Sequence, residues 1–184
     1  MLANGGAVAF PTESTYGIGV DALCLPALER LFALKGREPG KPPPILISDP
    51  AMLELLVARV PERARRLMAR FWPGPLTLVL PARAGLPEPL VSDGGVGVRH
   101  SPHALATQLV AAFGRPVTAT SANLSGQPAA VEAAEVRAVF GAELHILDGG
   151  RAPGAPPSTV ARVADDGTLT ILRAGALDPA RLSE

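Results

Sequence analysis

The chain has 184 residues, 47% of them hydrophobic, and 17 basic residues balance 17 acidic ones. A chain of this length buries roughly 70% of its unfolded surface, which suits one domain, taken here as residues 1–184. Zero net charge argues against a protein whose main work is coating nucleic acid or an anionic membrane, and one cysteine, Cys24, excludes an intrachain disulfide.

The N-terminus, MLANGGAVAF, lacks the basic region and long apolar run of a signal peptide. AVAF (7–10) reads as a buried strand stopped by Pro11. PTESTYG is a polar turn, and IGVDA resumes an extended run. Pro26 at a helix start precedes ALERLFALK (27–35), which has apolar residues at helical spacing and ends at Gly36. GREPGKPPP is a proline-rich loop that can be neither helix nor central strand. ILIS (45–48) is a short strand. Asp49 caps a helix over about 50–58. PERARRLMARFW forms a second helix, with Arg63, Arg66 and Arg70 near one face, and FWPGP breaks it.

LTLVLPA (76–82) is a strand, 83–95 a loop, and VGVRH (96–100) a strand. SPHALATQLVAAFG (101–114) is a helix with Ser101 as cap and Pro102 in the first turn. The strand PVTAT leads into the loop SANLSGQPAA, then the helix VEAAEVRAVFG and the strand and turn LHILDGG. STVARV and TLTILRAG are strands joined by an Asp166-Gly167 hairpin turn. Strands alternate with helices, and hairpins are also present. The fold class is α/β, with a mixed, twisted sheet. No run of 18 apolar residues occurs, so no membrane span is expected, and a soluble cytoplasmic domain is.

Several motifs carry chemistry weakly. GIGVDA (17–22) matches a loose dinucleotide fingerprint, but the helix begins only near Pro26, and the fingerprint needs its glycines to open a helix directly. There is no P-loop and no G-x-S-x-G elbow. The three histidines are too scattered for a metal site. Fifteen of the 17 basic residues are Arg, and both lysines, Lys35 and Lys41, fall within KGREPGK. Lysine is a compact point charge, and this loop can curl Lys35, Arg37 and Lys41 around a phosphate chain. Arg99 and Arg173 end strands, and TSAN and PSTV place hydroxyls at strand–loop junctions, where ligands of α/β domains tend to bind. Together these residues point to a pocket for a polyphosphate and a small polar substrate.

Six ordered blocks, AFPTESTYGIGVDA, LKGREPGKPPPILI, FWPGPLTLVLPA, VGVRHSPH, TATSANLSG and PSTV…ILRAG, resemble the YrdC-like family of threonylcarbamoyl-AMP synthases. The likeness runs from about residue 5 to residue 175 and fits the short, single-domain type. It implies a sheet curled around a large basic cavity. It also implies the reaction of L-threonine, bicarbonate and ATP to threonylcarbamoyl-AMP and pyrophosphate. A downstream threonylcarbamoyl-transferase complex then modifies adenosine 37 of tRNA. By the same resemblance Lys35, Arg37, Ser121 and Asn123 are catalytic, and Lys35, Arg37, Lys41, Ser121, Asn123 and Arg173 hold ATP. Ser14, Arg99 and Ser158 hold threonine. Ser14 stands where the family usually has Thr, and Leu46 where some members have a substrate-contacting His. Mg²⁺ is expected with ATP, with no protein ligand assignable. The alternative function is an RNA-binding module with a basic concave surface, with weak tRNA contact. An aromatic content of 4% is low for base-stacking platforms.

Overall fold

The computed structural model describes residues 1–36, 41–142 and 144–183. Arg37 lies outside them. Two mixed sheets form where one was expected. The smaller contains β1 (Val8–Pro11), β2 (Tyr16–Gly19), β8 (Thr120–Ser121) and β9 (His145–Ile146), in the order β8-β2-β1-β9. The larger contains β3 (Ile45–Ile47), β4 (Leu76–Pro81), β6 (Gly95–His100), β7 (Val117–Thr118), β10 (Thr159–Val163) and β11 (Leu169–Arg173), in the order β11-β10-β4-β6-β3-β7. A short β5 (Val91–Ser92) pairs with β6 inside the segment expected to be loop.

The expected strand PVTAT is the joint between the sheets. Val117 and Thr118 pair antiparallel with β3, whereas Thr120 and Ser121 pair antiparallel with β2. Ala119 lies between them, and its N–H donates to the Pro44 carbonyl at 2.8 Å. Thr118 is buried at the crossing and its hydroxyl accepts from Val20 N at 3.0 Å. Gly19 is required on the facing strand, since a Cβ there would stand 2.5 Å from the Thr118 carbonyl oxygen. The GIG run is therefore strand β2, not a helix-opening phosphate loop.

Helices flank the sheets: α1 (Leu25–Lys35), α2 (Glu62–Phe71), α3 (Ala104–Phe113) and α4 (Ala133–Phe140). Residues 50–58 differ from expectation. Asp49 does cap, accepting from Ala51 N at 2.7 Å, but the helix is 3-10 and ends at Leu55. Val57 instead forms an extended bridge to Ala82, just past the end of β4. The start of α3 also differs. Ser101 is not its cap residue: the helix begins at Ala104 with His103 in the cap position, while the Ser101 hydroxyl donates to Glu13 and accepts from His103 N. The Asp166-Gly167 turn is as expected, with Gly167 at φ +83°.

Two apolar clusters hold the layers together. Tyr16, Ile18, Leu28, Leu31, Ile45, Leu78 and Val98 belong to the larger one. Phe10, Leu46, Ala106, Val110 and Val117 form the smaller, beneath α3. Each large side chain buried in this way contributes about 1.5–3 kcal/mol. No helix among the described residues is long and apolar enough to cross a membrane.

Candidate functional site

A cavity of about 670 Å³ lies between the β1–β2 turn, the sheet-switching segment and one face of the larger sheet. The β1–β2 turn contributes Thr12 and Ser14. The switching segment contributes Ala119, Thr120 and Ser121. Alternation along the strands supplies the rest: Gly95, Gly97 and Arg99 from β6, Thr77 and Val79 from β4, and Val160 and Arg162 from β10. Ser158 precedes β10, and Arg173 ends β11. A volume of this size suits a nucleotide-sized ligand.

Five of the residues expected at the site, Ser14, Arg99, Ser121, Ser158 and Arg173, line this one cavity. They come from five separate stretches of chain. Pro42 and Pro44 line it too, which brings the proline-rich loop to its edge, and exposed Lys41 adjoins Pro42. Among the described residues, three arginines and Asp93 are the charged members of the lining, so it is basic on balance.

Arg99 has only 6% of its side chain exposed and forms an ion pair with Glu13. Burial lowers its pKa, Glu13 raises it, and the nearby Arg173 guanidinium lowers it further. Burial likewise lowers the pKa of Arg173, which donates to the Ser158 carbonyl at 2.8 Å. The Ser158 and Thr77 hydroxyls are 2.8 Å apart and buried. At the turn, the Thr12 hydroxyl donates to the Thr15 carbonyl at 2.7 Å and lies 3.2 Å from the Ser14 hydroxyl.

The Ser121–Asn123 turn is tied internally. The Ser121 hydroxyl donates to Asn123 Oδ1 at 2.5 Å, and Asn123 Nδ2 donates to the Gln127 carbonyl at 2.6 Å. Lys35, the last residue of α1, is buried behind this turn. Its Nζ donates to the Ser121 carbonyl, to the Asn123 carbonyl at 2.8 Å and to Asn123 Oδ1 at 3.3 Å. Neither Lys35 nor Asn123 is part of the cavity lining. Leu46 is 1% exposed in the cluster beneath α3 and also stands apart from the lining.

Glu13, Thr77 and Arg162 were not singled out by sequence. Thr77 carried a signal, a lone polar residue in the otherwise apolar strand LTLVLP, and Arg162 is the one charged residue of TVARV. Glu13 sat in an unremarkable polar turn. Among the described residues no group of three or more His, Cys, Asp or Glu could hold a metal ion.

The Sua5_yciO_yrdC family, described as telomere recombination, matches residues 1–175. A protein of Bacillus subtilis named threonylcarbamoyl-AMP synthase is 39% identical over 180 residues, covering 96% of this chain and 52% of that one. Its namesake in Chromohalobacter salexigens is 40% identical, covering 91% of each. The crystal structure of Pyrococcus abyssi Sua5 complexed with L-threonine superposes with a TM-score of 0.92 at 38% identity, over 99% of this chain and 54% of that one. The chain thus spans about half the length of the B. subtilis and P. abyssi proteins and most of the C. salexigens one.

Proposed function

The chain belongs to the Sua5/YciO/YrdC family, and from that premise we propose that it is an L-threonylcarbamoyladenylate synthase, a nucleotidyltransferase. L-threonine, bicarbonate and ATP give threonylcarbamoyl-AMP and pyrophosphate. The product then passes to a threonylcarbamoyl-transferase complex acting at position 37 of tRNA, in the cytoplasm. The observation that carries this reading is the convergence of Ser14, Arg99, Ser121, Ser158 and Arg173 on one cavity.

The chemistry fits the side chains. The threonine amine and bicarbonate condense to a carbamate with loss of water. A carbamate oxygen attacks the α-phosphorus, and the bond to pyrophosphate breaks. Two anions have to meet and a third has to leave, so charge neutralisation and positioning matter more than a strong base. Arg99, with Ser158 and Ser14, takes the threonine carboxylate and hydroxyl. Arg173 and Ser121 face ATP. Lys41 stands at the edge toward the triphosphate, and by the family pattern Arg37 is a further triphosphate contact. Asn123 and Lys35 hold the Ser121 turn in shape. Mg²⁺ arrives on the triphosphate as part of that substrate.

The test is pyrophosphate release from ATP. It requires both threonine and bicarbonate if the proposal is right. Release that is unchanged when threonine is omitted refutes it.

A further inference from the structure

Glu13 does not line the cavity, yet it is the partly buried partner of the buried arginine that does. Its two carboxylate oxygens are both engaged. Oε1 accepts from Arg99 Nη1, and Oε2 accepts from the Ser101 hydroxyl at 2.7 Å. Ser101 is itself fixed, since its hydroxyl accepts from His103 N at 3.1 Å and its carbonyl accepts from the Thr107 hydroxyl at 2.9 Å. The turn that carries Glu13 is fixed from the other side by the Thr12–Thr15 bonds. Glu13 therefore bolts the β1–β2 turn of the smaller sheet to β6 of the larger. With both oxygens taken, it is placed as a holder of other groups, not as a free base.

Two features make this bolt more than structural. Arg99 Nε is buried with no hydrogen-bond partner among the described residues. A buried donor without an acceptor is costly, so the guanidinium at the cavity wall keeps hydrogen-bonding capacity that its protein partners do not use. The second feature is charge. The Arg173 guanidinium is close enough to lower the affinity of Arg99 for a proton, and Glu13 is the counter-charge on Arg99. Without that counter-charge, this end of the cavity would present two guanidinium groups and attract any small anion. With it, a bare anion meets a carboxylate behind its binding group, whereas an amino acid brings an ammonium as well as a carboxylate.

We propose that Glu13 is a positioning and specificity-determining residue. Bridging Arg99 and Ser101, it orients the guanidinium toward the cavity and biases that end toward an α-amino acid over inorganic anions. The proposal rests on the assignment of threonine to the Arg99 end.

The test measures equilibrium binding of threonine, ATP and inorganic phosphate to the full chain, for wild type and Glu13→Gln. Threonine affinity is expected to fall at least tenfold and ATP affinity to stay within about twofold. Phosphate, a poor competitor of threonine in the wild type, is expected to become an effective one. Threonine and phosphate affinities both unchanged in a folded Glu13→Gln would overturn the proposal. A wild-type chain that binds no threonine overturns the threonine assignment instead. The phosphate arm still decides the role of Glu13 in that case, because phosphate binding must tighten when the counter-charge is removed. Should Glu13→Gln not fold, Ser101→Ala removes one of the two anchors of Glu13. It must then show the same pattern in weaker form, and its absence counts against the proposal.

Discussion

Replacing Lys35 by Met separates two roles for this lysine. If its ammonium only meets a phosphate, the ligand-free protein should not notice the loss. The structure predicts otherwise. Lys35 is 3% exposed and its Nζ donates to the Ser121 carbonyl, the Asn123 carbonyl and Asn123 Oδ1. Hydrogen bonds from a charged donor contribute about 1.5–3 kcal/mol each. The two carbonyl bonds together then amount to about 3–6 kcal/mol. Against this, Met does not suffer the desolvation of a buried ammonium, which costs up to several kcal/mol. The expected net destabilisation is about 2–4 kcal/mol, a large share of a typical total of about 5–15 kcal/mol. Urea titration of the ligand-free chain, followed by Trp72 fluorescence and circular dichroism, reads it directly. Lys41→Met is the control, exposed and expected to shift stability by less than about 0.5 kcal/mol. A Lys35→Met chain as stable as the control would refute the buried-clamp reasoning.

Arg173→Ala is expected to weaken ATP binding by about 1.5–3 kcal/mol, the scale of a charge-assisted hydrogen bond. It should also raise the KM for threonine, because Arg173 donates to the Ser158 carbonyl, and a calorimetric ATP titration that does not move would remove Arg173 from the site. Gly175→Ala places a Cβ 2.2 Å from the Pro157 carbonyl oxygen and 2.7 Å from that of Ser158. The overpacking should cost about 1–3 kcal/mol in thermal or urea unfolding and weaken threonine binding by displacing Ser158. His100 has its pKa lowered, by burial first and against the opposing pull of Asp49. The folded state resists a proton that the unfolded chain accepts near about pH 6.5. Stability from this source is therefore present above that pH and lost as pH falls toward the lower folded value. His100→Gln should flatten the stability profile in that window, and an unaltered slope would refute the shift.

Most elements were legible in the sequence because their causes are local. Pro26 and Gly36 bracket α1, Asp49 caps its turn, and Asp166-Gly167 makes the hairpin between β10 and β11. Each depends on residues within one turn of the chain. The errors fell where a tertiary contact took over a local group. Ser101 had the sequence of a helix cap, but its hydroxyl bridges His103 N and Glu13, 88 positions away, and the helix starts only at Ala104. PVTAT had the sequence of one strand, but β3 pairs with its first half and β2 with its second.

The same division governs the site. The sequence by itself determined which side chains could do the chemistry: Arg99 and Arg173 at strand ends, and hydroxyls at Ser14, Ser121 and Ser158. It determined their types and their order because those are chemical facts of each block. Only the tertiary structure decided which of them meet. It buried Lys35 against carbonyls 86 and 88 positions away, and it set Glu13 against Arg99 across 86 positions. Local propensity acts over a few residues, whereas these pairings exist only once two sheets have packed and the chain has crossed between them at Ala119.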